Sequence, residues 1–198
     1  MKLPFFLLFA LSQLNTVIAQ KQPKLLKAKG NTNCVYKEKY SAKQRSQFYP
    51  FNVADTIKLV SFRYTKGNYP FRNGIVIADS LIDVKVLTLH EINQLTDIIY
   101  NNFYKKAPNY GTVNQCWIPH NAILFFDKLG KLKEYISICF HCSEYRESSD
   151  KIRVGDDCDQ KMDKLRSFFI SAGVQFGTDP EIEYGGGKEE DIVLPPKN

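Results

Sequence analysis

Two kinds of apolar spacing divide the chain. From Thr88 onward, Ile92, Leu95, Ile99 and Phe103 recur at intervals of three and four, the period of one helix face. Thr88 and Glu91 have the spacing of a capping box ahead of that stripe, and Asn101, Asn102 and Pro108 close it. A second helix is predicted from Asp156 or Asp157, with Cys158, Met162, Leu165, Phe169 and Ala172 on its buried side and Gly173 as its stop. Between the two helices lie apolar runs of strand length, residues 122–127 and 133–142. They are joined by Lys128-Leu129-Gly130-Lys131, where Gly130 can take the positive φ of a three-residue hairpin loop. Residues 55–64 are rich enough in β-branched and aromatic side chains for a strand, turn chemistry follows at residues 66–70, and a short strand is expected around Ile75 to Ile77. Ser143 to Gly155 reads as a polar loop. The order predicts an α+β fold: a small, mostly antiparallel sheet with a central β-hairpin and two packed helices, over residues 34–177.

The ends read differently. Lys2 precedes an apolar run from Leu3 to Leu14, and Val17 and Ala19 stand where a signal peptidase reads small side chains. Residues 1–19 are therefore expected to be a secretory signal cleaved after Ala19, too short and too interrupted for a spanning helix of about 20 apolar residues. Residues 20–33 read as a basic linker and residues 178–198, with Gly185 to Gly187 and Pro195-Pro196, as a flexible tail. The formal charge of +6 sits largely at the front: between Lys21 and Arg45 there are eight basic residues and one acid. A basic arm on a near-neutral body does not mark a nucleic-acid-binding face. No nucleic acid is expected, and contact with an anionic envelope surface through the arm is the one partner this charge suggests.

Five cysteines in an exported chain are expected to be mostly disulfides. With a three-residue loop at residues 128–130, paired positions on the hairpin sum to 258. That register sets Cys116 opposite Cys142, so these two are the expected disulfide, whereas a two-residue loop at Leu129-Gly130 would shift the sum to 259 and set Trp117 opposite Cys142 instead. Cys158 is the alternative partner for Cys142, and Cys139 would pair with Cys34 or stay reduced. The segment Cys139-Phe140-His141-Cys142 raises other chemistry. Redox motifs of this spacing sit at helix starts, and this one ends a strand, where an extended step of three residues spans about 10 Å, too far for a bond unless a turn has begun. A zinc site could draw on Cys139, His141, Cys142 and Cys158, with Cys116 and His120 as further ligands, but alternation along a strand points Cys139 and Cys142 to opposite faces. Covalent haem attachment would need histidine after the second cysteine, and residue 143 is Ser.

Other constellations are absent from the sequence. Gly185-Gly186-Gly187-Lys188 lacks the spacing of a phosphate loop, there is no Gly-x-Ser-x-Gly elbow, and the acids at residues 156–159 lack the spacing of a calcium loop. His90 falls in the first turn of a helix. The catalytic candidates are His120, Cys139 and His141, with a hydrogen-bonded structural histidine the commoner role for His120. No cofactor is implied.

Cys116-Trp117-Ile118-Pro119, residues 123–127 and Ile138-Cys139-Phe140-His141-Cys142 resemble a group of small exported proteins of Bacteroidota. So do Cys158 and Lys161 followed by Leu165, Phe168 and Phe169, and the close on residues 173–177. The resemblance covers roughly residues 87–177. It implies export and a single folded unit and carries over no catalytic residue. The expectation is a secreted or periplasmic, non-enzymatic binding or envelope-associated domain. The alternative is a thiol- or zinc-dependent enzyme built on Cys139, His141 and Cys142.

Overall fold

Strand β7 (Asn121–Phe126) is buried along its whole length, which accounts for its unbroken apolar run. It lies at the centre of a five-stranded antiparallel sheet, in a computed structural model that describes residues 30–65, 68–109 and 116–179. Its neighbours are β2 (Thr56–Phe62) and β8 (Leu132–Cys139). Beyond them lie β5 (Leu81–Val86) next to β2 and β9 (Glu144–Glu147) next to β8. A separate two-stranded sheet pairs β1 (Asn31–Tyr36) with β6 (Asn102–Lys106), and a small hairpin pairs β3 (Phe71–Arg72) with β4 (Ile75–Val76). The helices are short: α1 (Ala42–Arg45), α2 (Leu89–Tyr100) and α3 (Lys161–Ser171).

The expected α+β fold is thus corrected to a mostly β one, with nine strands and only three short α-helices among the described residues. The strands that tip the balance are those the apolar pattern did not signal. β1 and β9 are polar and half exposed, and β6 follows α2 directly. Phe103, read as the last turn of the first helix, belongs to β6, because Asn101 caps α2 by donating its N–H to Asp97 O at 3.0 Å. The second helix begins at Lys161 rather than near Asp156. Gly155 holds a φ of 69° and Asp159 N–H donates to Thr32 O, so the chain before Lys161 is engaged with β1. β1 starts at Asn31, inside the stretch read as linker. The expected signal sequence, residues 20–29 of the linker and residues 180–198 of the tail lie outside the described residues.

Alternation gives the sheet two apolar faces. Ile57, Leu59, Ile123, Phe125, Ile136 and Ile138 pack with Leu95 and Ile99 of α2 and Met162, Leu165 and Phe169 of α3. On the other face Val60, Phe62, Ala122, Leu124 and Phe126 pack with Phe71 of the small hairpin. Both faces being covered, each central residue is removed from water whichever way it points. Capping boxes open α1 at Ser41 and α2 at Thr88.

The β7–β8 register starts as expected and then slips. Asp127 N–H donates to Lys131 O at 3.0 Å, and Phe126 faces Leu132. A bulge then intervenes, Phe125 faces Glu134, and Asn121 ends opposite Ile138 instead of Ser137. β8 also ends at Cys139, not Cys142: residues 140–143 turn, with Ser143 at a φ of 50°, and Glu144 pairs back with Cys139.

Candidate functional site

That turn decides the cysteine chemistry. It folds Cys142 back towards Cys139, with Cα atoms 5.2 Å apart, and Cys142 N–H donates to Cys139 Sγ at 3.2 Å. The segment entering β7 brings Cys116 to the same place, its Cα 5.6 Å from that of Cys142. The three sulfurs lie within 4.8 Å of one another. Cys116 approaches Cys142 by way of the turn and not by the cross-strand register that suggested it, since neither residue belongs to a strand. Trp117 fixes the incoming segment: its Nε1–H donates to Tyr69 Oη at 2.8 Å, and the Arg146 guanidinium of β9 lies 4.0 Å from its ring centre.

The other candidates go elsewhere. Cys158 meets Cys34 at a Cα separation of 5.0 Å, so neither joins the trio. His141 is exposed at the tip of the turn and is not part of the sulfur cluster. His120 is buried, with Nδ1 3.0 Å from Phe62 O and its ring against Phe176. Burial pushes its pKa down, against the opposing pull of the Phe62 carbonyl. A Cβ on Gly177 would stand 2.3 Å from His120 Cβ, which is why glycine follows Phe176. His120 therefore packs the C-terminal segment onto the sheet. Asp83 helps, its Oδ2 accepting from the N–H groups of Gln175 and Phe176.

A second site went unread in the sequence. Tyr40, Phe48, Tyr49, Tyr100 and Phe103 line a cavity of about 570 Å³ together with Lys39, Lys151, Arg153 and Asp156. Phe48 stands edge-on to Tyr100 at 4.7 Å and to Tyr40 at 5.1 Å. Tyr49 Oη donates to Glu134, as do Ser148 Oγ and Ser149 Oγ. Burial would raise the Glu134 pKa, but these three donors leave it below its ordinary value. Burial and that carboxylate together push the Tyr49 phenol up to about 12. Asp156 is turned away to the β6 backbone, accepting from Tyr104 N–H at 2.9 Å. Tyr100 differs from the rest. It is only 6% exposed, and its hydroxyl is buried without a hydrogen-bond partner among the described residues. The signal for this site was the density of aromatics at residues 40, 48, 49 and 51, a stretch to which no element could be assigned from spacing.

Beside the cavity, Lys161 is buried at the start of α3. Its Nζ donates to Ile99 O at 3.0 Å and to Val154 O at 2.9 Å, closing the end of α2 against the loop before α3. Burial lowers its pKa to about 8, against the opposing pull of Asp157 and Asp156.

Comparison of the chain with protein-family models, with curated proteins and with solved structures gives no match. Among the described residues, no helix is long and apolar enough to cross a membrane.

Proposed function

We propose that this chain is an exported binding domain, secreted or periplasmic, that holds a small anionic ligand with a flat apolar body in the Tyr100 cavity. The observation that carries the reading is the composition of the cavity, whose lining joins Tyr40, Phe48, Tyr49, Tyr100 and Phe103 to Lys39, Lys151 and Arg153. Phe48, Tyr40 and Phe103 offer apolar ring surface, and Lys39, Lys151 and Arg153 place three cations against a single acid already engaged with the backbone. Cysteine pairs at disulfide distance fit an oxidising compartment. The resemblance to exported Bacteroidota proteins and the leader pattern of residues 1–19 supply the export part of the reading.

Titration with a naphthalene sulfonate, followed by fluorescence and calorimetry, tests the ligand. Saturable one-site binding is expected, weakened roughly tenfold or more (about 1.4 kcal/mol) by Lys151→Ala with Arg153→Ala. Equal affinity for a neutral naphthyl alcohol, or affinity untouched by these changes, overturns it. Export is tested by N-terminal sequencing of the secreted form, expected to begin at Gln20; a retained Met1 refutes it.

A further inference from the structure

Three sulfurs gathered at one turn cannot all be bonded in pairs. Cys142 stands at disulfide-compatible Cα separations from two of them at once, 5.6 Å to Cys116 and 5.2 Å to Cys139, both inside the usual range of about 4.4–6.8 Å. A sulfur forms one S–S bond, so a singly oxidised trio holds one bond and one thiol. We propose that Cys142 is the shared partner in an intramolecular thiol–disulfide exchange, its bond passing between Cys116 and Cys139.

The step needs no oxidant or reductant. With Cys116 bonded to Cys142, the Cys139 thiolate attacks Cys142 Sγ. The new bond joins Cys139 to Cys142, the Cys116–Cys142 bond breaks, and Cys116 leaves with the electron pair as a thiolate. It takes up the proton that Cys139 gave to solvent. The local structure assigns these parts. Cys142 N–H points at Cys139 Sγ, which favours negative charge on the attacking sulfur. Cys139 and Cys142 are buried, whereas Cys116 is only partly so and is the outermost residue of the trio. Exchange therefore moves reactivity between an inner and an outer position without changing the oxidation state of the chain. A structural zinc site is the competing use of three cysteines, and it calls for a fourth ligand. Among the described residues no His, Asp or Glu completes the cluster.

The proposal is independent of the ligand cavity and is tested on the full exported chain. Air-oxidised protein is unfolded in mildly acidic urea, labelled with a maleimide and mapped by mass spectrometry. Two labelled populations are expected in one wild-type preparation, one at Cys139 and one at Cys116, with Cys34 and Cys158 linked in both. Cys139→Ser should give only the Cys116–Cys142 link and Cys116→Ser only the Cys139–Cys142 link, each without label. Label confined to a single cysteine in the wild type overturns the exchange. So do label on all three, a thiol-bearing single variant, or one zinc per chain in the native intact mass.

Discussion

The two cysteine regions hold the molecule in opposite ways. Cys34 and Cys158 are 124 positions apart and join β1 to the loop before α3, parts that no sheet ladder connects. Around them Thr32 Oγ1 donates to Asp159, and Cys34 N–H donates to the Gln160 side chain. Cys139 and Cys142 lie three apart on a turn that the β8–β9 ladder already closes, and Cys116 enters a strand that β8 already pairs. In the loop-entropy account the difference lies in the unfolded chain. The Cys34–Cys158 clasp closes a loop of about 125 residues and the trio one of about 27 or four, so a bond can pass within the trio at lower cost than the clasp can be opened.

The largest effect is expected at the clasp. Cys34→Ser with Cys158→Ser opens a loop of about 125 residues and should cost on the order of 5 kcal/mol by the loop-entropy account. Urea unfolding of the double variant measures it, and a loss below about 2 kcal/mol would show that β1 and α3 hold each other without sulfur. Lys161 sharpens the same side. Its folded pKa of about 8 lies below the ordinary lysine value, so between about pH 8 and 10.4 the unfolded chain binds more protons than the folded one. Stability contributed by this group must then rise with pH across that window, by up to about 3 kcal/mol. Lys161→Met should remove that slope while lowering stability above the window, where Ile99 O and Val154 O lose their donor. Parallel wild-type and variant curves from pH 7 to about 10.5 would show that the amine is charged at no cost.

On the trio side the expected effects are smaller and unequal. Cys139→Ser keeps the Cys116–Cys142 loop of about 27 residues, whereas Cys116→Ser leaves only the four-residue loop of Cys139–Cys142. The loop-entropy account makes the second variant less stable by about 1–2 kcal/mol. Equal urea midpoints for the two would mean that neither loop constrains the unfolded chain beyond what its residual structure does.

How far these features could be read from residues alone follows from what signals each one. β7 and the start of α2 were legible because both faces of β7 are buried and Thr88 and Glu91 satisfy each other locally. The same holds for the hairpin loop, where Gly130 takes a φ of 71°. β9 was not legible, since Glu-Tyr-Arg-Glu has no apolar run and exists as a strand only because β8 offers it a ladder. The turn at residues 140–143 hid behind the apolar continuity of Ile138, Cys139 and Phe140, and with it went the closeness of Cys142 to Cys139. A single bulge after Leu132 was enough to displace the register argument for Cys116. The cavity stayed invisible because its five rings come from the loop after β1, the chain after α1, the end of α2 and β6, which no local spacing relates.

The least perturbing change returns to that cavity on the clasp side. Tyr100→Phe deletes one oxygen and keeps the ring that Phe48 and Phe51 pack against. Because the hydroxyl is buried and makes no hydrogen bond among the described residues, its removal relieves a desolvation cost instead of breaking a bond. The ligand-free protein should therefore be unchanged or more stable, by up to about 1 kcal/mol, although most core substitutions destabilise. Its phenol also carries a pKa pushed up by burial, so it stays protonated and able to donate through the physiological range. The variant's affinity for the sulfonate should stay unchanged, because the hydroxyl is buried from the cavity as well as from water and only the ring forms part of the wall. A destabilisation of about 1 kcal/mol or more by Tyr100→Phe, measured in urea, would instead show that the hydroxyl is satisfied in the free protein by a buried ordered water.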